Sequence, residues 1–515
     1  MSLTKAIATI GGWTVLSRVT GLLREVLIAR YLGAGMVSDA FFVAFRFPNL
    51  FRSLFAEGAF NPAFVPIFAG KLEAEGPDAA RLFAEQCLAV LTWTLLGFVA
   101  LMEIFMPWAM LVLAPGFGDL PGKMELAVAL SRITFPYLLF ISMVSLQSGV
   151  LNAMGRFAAA AGTPVLLNVV SMLVLVALVP YVATAGHAMA WGISASGVAQ
   201  FLWLVFSVRK AGMPLRLVRP RLSPEVKAML QRVVPGAIGA GVYQINLTIN
   251  TMIASEVANG AVSYLNYAER VNQLPLGVVG VAIGTALLPL LSRQLRAGEA
   301  AAAMESQNRA MEMCLLLTLP AAAGLVAIAH PIIAVLFERG SFHAADTLAV
   351  GRALAVLALG LPAYVLIKVL TPGFFARHDT KTPVRVAGGC MVLNIGLNLA
   401  LMGPLNYLGM AAATAAAAWV NVAALAWLLR KRGFFAMDAR LTGRLPRIMA
   451  ACALMVAALL GTQFLLDGWL ETPLFRLPAL VLLVAIGGLS YGVAVFATGA
   501  TRLAELKGML RRRRN

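Results

Sequence analysis

Charge is what this sequence has least of. Asp, Glu, Lys and Arg make up 12% of its 515 residues, against about 25% in an ordinary soluble chain. That scarcity excludes a sizeable soluble domain. Cysteine is scarce as well: Cys87, Cys314, Cys390 and Cys452 each stand alone inside an apolar run. No CxxC or paired spacing links them, which argues against a disulfide framework or a zinc site. Buried thiols behaving as small hydrophobes are expected instead. His187, His330, His343 and His378 are scattered, without an HxxxH or DxD companion. A membrane enzyme acting on lipid phosphates would need such acids, histidines or metal ligands, so the sequence does not read as an enzyme. The first apolar run is long, interrupted by charge and lacks a small-residue cleavage motif, so no cleavable leader is expected.

Apolar sequence is abundant. Hydrophobic residues make up 60% of the chain and the mean hydropathy is +0.84. Runs of about 20 apolar residues, enough to cross a bilayer, recur from end to end. An all-α integral membrane fold with fourteen spans is predicted. Their cores are 9–33, 38–56, 84–113, 125–153, 160–183, 187–208, 233–255, 262–291, 311–337, 347–375, 385–403, 408–429, 446–466 and 477–499. The stretch "EGAFNPAFVPIFAG" after the second span reads as an extension or re-entrant segment, not a separate crossing. The net charge of +18 could suggest nucleic acid, but the basic residues gather in alternate links. Arg209, Lys210, Arg216, Arg219, Arg221 and Lys227 lie between spans six and seven; Arg430, Lys431, Arg432, Arg440, Arg444 and Arg447 lie between twelve and thirteen. The links between five and six, seven and eight, and eleven and twelve carry no Lys or Arg. By the positive-inside rule both termini are cytoplasmic. The basic links read as topology signals touching anionic headgroups, and nucleic acid is not an expected partner.

The chain also repeats. "GMVSDAFFVAFRFPNLF" from Gly35 parallels "GAVSYLNYAERVNQLPL" from Gly260; "VPIF" at Val65 answers "LPLL" at Leu288; "MPWAMLVLAPGF" from Met106 parallels "HPIIAVLFERGSF" from His330. "GTPVLLN" at Gly162 answers "KTPVRVA" at Lys381, and "VRKAG" at Val208 answers "LRKRG" at Leu429. The offset stays near 219–225 residues throughout. Each unit holds an even number of spans, six, so the copies share one orientation about an axis along the membrane normal. The domains expected are an N-terminal lobe (1–222), a C-terminal lobe (223–433), two added helices (434–500) and a basic cytoplasmic tail (501–515).

Against this apolar background, charges inside spans stand out, since each costs roughly 2.5–3.5 kcal/mol at a helix centre. The opening helix reads "TVLSRVTGLLREVLIARYLGAG" from Thr14. At helical spacing Thr14, Ser17, Arg18, Gly21, Arg24 and Glu25 share a sector of about 120°. Val15, Val19, Leu22, Leu23 and Val26 lie opposite. Gly21, central in the stripe, could allow bending or close approach of a ligand. Arg30 falls outside it and reads as a headgroup anchor. The second span adds Asp39, Arg46, Asn49, Arg52, Ser53 and Glu57, with Pro48 expected to kink it; Arg46 also reads as a snorkelling residue. Glu269 and Arg270 occupy the matching span of the second repeat, and Arg132 and Arg352 are a further matched pair.

An interfacial helix with snorkelling arginines does not suit Arg18 and Arg24, whose apolar face is long enough to span. Internal pairing of Arg18 or Arg24 with Glu25, Asp39 or Glu57 accounts for part of the pattern. The reading that takes in the rest is a hydrated cationic cavity between the repeats. Arginine's planar fork and permanent charge suit a phosphate-bearing substrate.

"SRVTGLLRE", "GAGMVSDAFFVAFRFPNLFRSLFAEGAFNPAFVPIF" and "APGF" resemble the MurJ (MviN) family of lipid II flippases, within the MOP transporter superfamily. The similarity runs over essentially the whole chain. It implies MATE-like V-shaped lobes around a central cavity, and a flippase that moves undecaprenyl-pyrophosphoryl-disaccharide-pentapeptide across the inner membrane for peptidoglycan synthesis by alternating access. It implies that Arg18, Arg24, Arg52 and Arg270 bind the pyrophosphate, with Ser17, Asp39, Glu57 and Ser263 also important. Gly21, Glu25 and Asn49 join them as supporting or gating candidates from the stripes. The resemblance further implies that 446–499 forms a groove for the lipid tail. Gln273 departs from relatives that carry an acid there, which puts an ion-pair or gating role at that position in doubt. No sodium site is carried over, because span seven offers Gln244, Asn246 and Asn250 but no acid before Glu256. No cofactor or metal is expected; membrane potential or an ion gradient drives the cycle. Expected partners are lipid II, membrane lipids and cell-wall synthesis proteins, with the chain itself monomeric. The rival readings are another MOP-type flippase of a polyprenyl-linked glycan, a drug or cation antiporter, for which the cavity is too basic, and a non-transporting scaffold, for which arginines inside spans are too costly.

Overall fold

A computed structural model describes residues 3–53 and 60–501, without side-chain detail at 3–7, 234–243 and 277–285. Glu57 and the "RRRR" of the tail lie outside the described residues. What is described is helical, as a chain in lipid requires: each backbone N–H and C=O must be satisfied within its own segment. Among the described residues, ten helical segments are long and apolar enough to cross a membrane. Three predicted spans each consist of two helices. The span 125–153 breaks before Tyr137, 311–337 breaks at Ile328 and 347–375 breaks before Leu361. Pro136, Pro331 and Pro362 sit at or just past these breaks, where a proline's missing N–H costs nothing. Pro48, Pro107 and Pro164 lie inside continuous helices. Hydropathy finds the apolar run in both cases and does not distinguish them.

By internal contacts the chain divides into two compact units. The first comprises Met1–Ser263 and Arg339–Phe342; the second comprises Tyr264–Glu338 and His343–Asn515.

The first unit holds α1 (Leu3–Leu32), α2 (Met36–Phe51), α3 (Asn61–Ala74), α4 (Pro77–Leu113), a short 3₁₀ turn (Pro115–Asp119), α5 (Lys123–Thr134), α6 (Tyr137–Ala153), α7 (Phe157–Leu178), α8 (Ala185–Lys210) and α9 (Pro224–Val257). At 14 residues, α3 is about 21 Å long, too short to cross a core of about 30 Å alone, in keeping with an extension or re-entrant segment. The helices meet through small residues and buried amides. Asn168 of α7 donates from Nδ2 to Ser17 O and to Thr20 Oγ1 of α1, both at 3.1 Å. Gln200 of α8 donates to Thr163 O of α7 at 2.7 Å.

Two Gly-Phe loops dock on helix ends in the same manner. Gly116 lies against the end of α9, where an added Cβ would come within 2.3 Å of Ser255 O. Gly340 lies against the end of α1, where a Cβ would meet Arg30 O at the same distance; Ser341 N–H donates to Arg30 O at 2.8 Å. Phe117 and Phe342, which follow, are fully buried. These loops are the "APGF" and "ERGSF" of the repeat. Each packs against the first helix of the other repeat as read from the sequence.

The second unit holds α10 (Ala261–Arg296, entering from the first unit), α11 (Ala300–Ala327), α12 (Ala329–Phe337), α13 (Ala344–Ala358), α14 (Leu361–Phe375), α15 (Lys381–Leu405), α16 (Tyr407–Lys431), α17 (Ala439–Leu465), α18 (Asp467–Glu471) and α19 (Arg476–Ala497). Val365, Val369 and Leu370 of α14 pack with Cys314, Leu315, Leu425 and Leu429 as its core. In the link after α14, Asp379 accepts from the hydroxyl and N–H of Thr382 and from Arg432. These partners, Thr382 first, hold its carboxyl well below the usual carboxylate range.

Ions pin both ends of the added pair α17 and α19. Glu312 of α11 is buried and pairs with Arg444, Arg440 and Arg309. Asp438, which also pairs with Arg309, caps α17 by accepting from Leu441 N–H at 2.7 Å. At the other end Arg476 of α19 meets Glu338 at 3.0 Å, and Tyr491 donates to Leu316 O at 2.7 Å. Arg444 is therefore not the headgroup residue its basic link suggested: it is 8% exposed and neutralises a buried carboxylate.

Two expectations follow. Gly116→Ala should lower the unfolding temperature in detergent by the equivalent of about 1–3 kcal/mol, an overpacking cost, whereas Gly118→Ala, with open space around it, should change little. Glu312→Gln leaves three arginines without their shared anion and should cost about 3–5 kcal/mol, read as faster proteolysis or exchange across α17 and α19.

Candidate functional site

On α1 the polar stripe resolves into separate environments. Val15, Val19 and Leu23 are exposed, as the outward apolar face requires. Arg24 and Glu25 are buried, 7% and 4% exposed, and Arg24 Nη2 lies 2.9 Å from Glu25 Oε1. Adjacent helix residues do not normally face one another, so this pair forms only because both side chains lean together. Arg24 Nε is buried without a hydrogen-bond partner, leaving the guanidinium with a donor still to place. Arg18 is exposed, about 9 Å along the axis from Arg24. Gly21 faces α7: its Cβ would sit 3.5 Å from Asn168 Nδ2, so the close approach it permits here is of a helix. Ser17 lends its carbonyl to the same asparagine.

On α2, Asp39 is completely buried and is the centre of a compact cluster. Its Oδ2 accepts from Lys123 Nζ at 2.8 Å and from Gly260 N–H at 2.7 Å. Its Oδ1 accepts from Ser263 N–H at 2.8 Å and from the Ser263 hydroxyl at 2.5 Å. Ser38 Oγ lies 2.8 Å from Ser263 Oγ. Asp39 and Ser263, predicted as gating residues, are thus brought together, and the ion pair of Asp39 is with Lys123 instead of Arg18 or Arg24. Its counter-ion is Lys123, 2% exposed, which sequence reasoning missed. A signal was present: the link before α5 should face outward, and a lysine there runs against the positive-inside rule.

Farther along α2 the side chains turn toward α9. Arg46 Nη2 reaches Leu247 O at 3.4 Å, beside a small cavity lined by Val43, Leu50, Leu113, Thr248 and Thr251. It is held within the protein, contrary to the snorkelling expected of it. Arg52 donates from Nε to Asn49 Oδ1 at 2.8 Å, and Gln244 of α9 donates to Ser53 Oγ at 2.8 Å. Glu57 lies outside the described residues. In the second unit, Arg270 is exposed on α10. One turn on, Gln273 donates to Glu269 Oε1 at 3.0 Å. Among the described residues no three His, Cys, Asp or Glu side chains group as metal ligands.

Long apolar helices with paired charges inside them define the class: a polytopic membrane transporter. The fold agrees. A solved inward-facing structure of a multidrug resistance MATE family transporter of the MOP superfamily matches 81% of this chain and 95% of its own, with a TM-score of 0.69 at 13% identity. A structure of "Lipid II flippase MurJ, inward closed conformation" matches 94% of this chain and 97% of its own, at 25% identity and a TM-score of 0.77. The family profile described as "Lipid II flippase MurJ" covers residues 28–478. A probable lipid II flippase MurJ of Rhizobium meliloti (strain 1021) is 44% identical over 99% of this chain and 97% of its own. A lipid II flippase MurJ of Burkholderia cenocepacia is 39% identical over 84% and 85%. The chain belongs to the MurJ family of lipid II flippases, a family of transporters and not of enzymes.

The two α1 environments predict different responses. Glu25→Gln strips a buried guanidinium of its anion and should cost about 3–5 kcal/mol of stability. Arg18→Gln, at an exposed position, should stay within about 0.5 kcal/mol. Melting curves of the purified variants in one detergent compare them directly.

Proposed function

We propose that the protein moves lipid II, undecaprenyl-pyrophosphate-linked disaccharide-pentapeptide, from the cytoplasmic to the periplasmic leaflet of a bacterial inner membrane by alternating access. The observation that carries this reading is the family match over nearly the full chain, with the arginines that the family resemblance assigns to pyrophosphate all present.

In this reading the chain crosses the membrane fourteen times, with both termini in the cytoplasm. Two six-helix lobes, 1–222 and 223–433, flank a central cavity, and the pair within 434–500 offers the polyprenyl tail a groove at 446–499. The contact of Ser38 with Ser263 supports the duplication, because matched residues of two copies touch where a two-fold axis runs between them. Arg18, Arg24, Arg52 and Arg270 take the pyrophosphate. A buried arginine with an unplaced donor gains a charge-assisted bond when phosphate arrives; Glu25 holds that charge until then. Asp39 and Ser263 close the outer side by joining α2 to the first turn of α10. No cofactor takes part. Membrane potential, at about 2.3 kcal/mol per charge per 100 mV, or an ion gradient drives the return. The chain works as a monomer, among membrane lipids and beside cell-wall synthesis proteins. Export of another polyprenyl-linked glycan by the same fold is the alternative.

Arg24→Ala or Arg270→Ala should lower transport about 10- to 100-fold, the loss of one charged hydrogen bond of about 1.5–3 kcal/mol. Arg24→Lys should recover only part, because a point charge does not replace the fork. Growth of a strain depending on the variant, with labelling of lipid II on the outer leaflet, measures both. Full growth and normal labelling in both alanine variants would sink the assignment, and transport of a different polyprenyl glycan in preference to lipid II would favour the alternative.

A further inference from the structure

Lys123 is a fully buried ammonium on a side of the protein where topology disfavours lysine. Its Nζ donates to Asp39 Oδ2 at 2.8 Å and to Asn259 Oδ1 at 3.0 Å, and stands 4.3 Å from the centroid of the Phe117 ring. Two carbonyl-type oxygens and an aromatic face satisfy an ammonium from all sides. At 2% exposure it is shielded from solvent.

Its contacts divide into two sets. Asp39 and Lys123 stand on α2 and α5, which pack side by side; Thr134 of α5 also donates to Ala44 O of α2 at 3.1 Å. That pair belongs to one body. Asn259 and the Gly260 N–H belong to the short link between α9 and α10, where Ala258 is extended and Gly260 has φ +89°, and the Ser263 N–H and hydroxyl to the first turn of α10. Link and first turn together make these bonds to the Asp39–Lys123 pair. Without the ammonium, docking the link would enclose a bare carboxylate, and a buried charge stripped of its partner strongly opposes the state that encloses it. With it, the link closes over a receptor that is already neutral.

We propose that Lys123 is a positioning residue for transport: it neutralises Asp39 so that the segment 258–263 can dock on α2 and α5 when the outer side shuts, and part from them when it opens. Its role in the transport cycle rests on the transporter reading above, while the docking itself is measurable without any substrate.

The test follows amide exchange of 258–263 by mass spectrometry on the full chain in nanodiscs, beside lipid II transport in cells. Lys123→Met should speed exchange of the Gly260 and Ser263 amides at least about tenfold and lower transport with it. Lys123→Arg, which keeps the charge, should stay within about threefold of the parent. The double variant Asp39→Asn with Lys123→Met, neutral again, should be better protected than either single change. If Lys123→Met fails to accumulate in the membrane, the double variant compared with Asp39→Asn alone decides: protection no better than in that single variant overturns the proposal. Exchange unchanged in Lys123→Met also overturns it, whatever transport does, and lost transport with unchanged exchange would assign Lys123 to the substrate instead. Failure of the parent to move lipid II would remove the function and leave the exchange pattern standing.

Discussion

A charge taken out of water needs an opposite charge and a full set of hydrogen bonds, and this constraint organises the protein. The Asp39 carboxylate is its clearest case: completely buried, it collects Lys123, two backbone N–H groups and a hydroxyl. Arg24 with Glu25, and Glu312 with its three arginines, answer the same need elsewhere. In each case the partner decides what the charge can do. Asp39 is saturated and serves as a dock. Arg24 keeps an Nε–H without a hydrogen-bond partner.

The same constraint brings arginines from unlike stretches of sequence into buried pairs. Arg444 lies in a basic link and Arg24 in an apolar run, yet both end in buried ion pairs. The difference is in where each partner stands in the chain. Glu312 and its arginines tie α11 to α17, alongside the Asp438 cap, so these charges fasten the added helix pair. Arg24 meets Glu25, its own neighbour on α1. The two pairs look alike in a composition count.

Glycine and proline set the geometry around these charges. Gly116 and Gly340 let two loops approach the ends of α9 and α1 more closely than any side chain would allow. The breaks before Tyr137 and Leu361 divide apolar runs that hydropathy reads as continuous. These features arise because a membrane helix keeps its backbone bonds wherever it can, so irregular backbone appears only where the protein itself covers it.

Much could be read from the order of residues alone. Membrane class follows from hydropathy because lipid rewards apolar composition whatever the partners. The outward face of α1 follows from helical period, since Val15, Val19 and Leu23 need only point away from their polar neighbours. Family membership follows from motifs such as "SRVTGLLRE". Pairing could not be read in the same way. Asp39 meets Lys123 across 84 positions and Ser263 across 224, and helical spacing carries no information over such distances. Which charges neutralise one another, and which keep a bond to give, was decided only when the helices packed, because electrostatic partnership depends on separation in space and on exclusion of water.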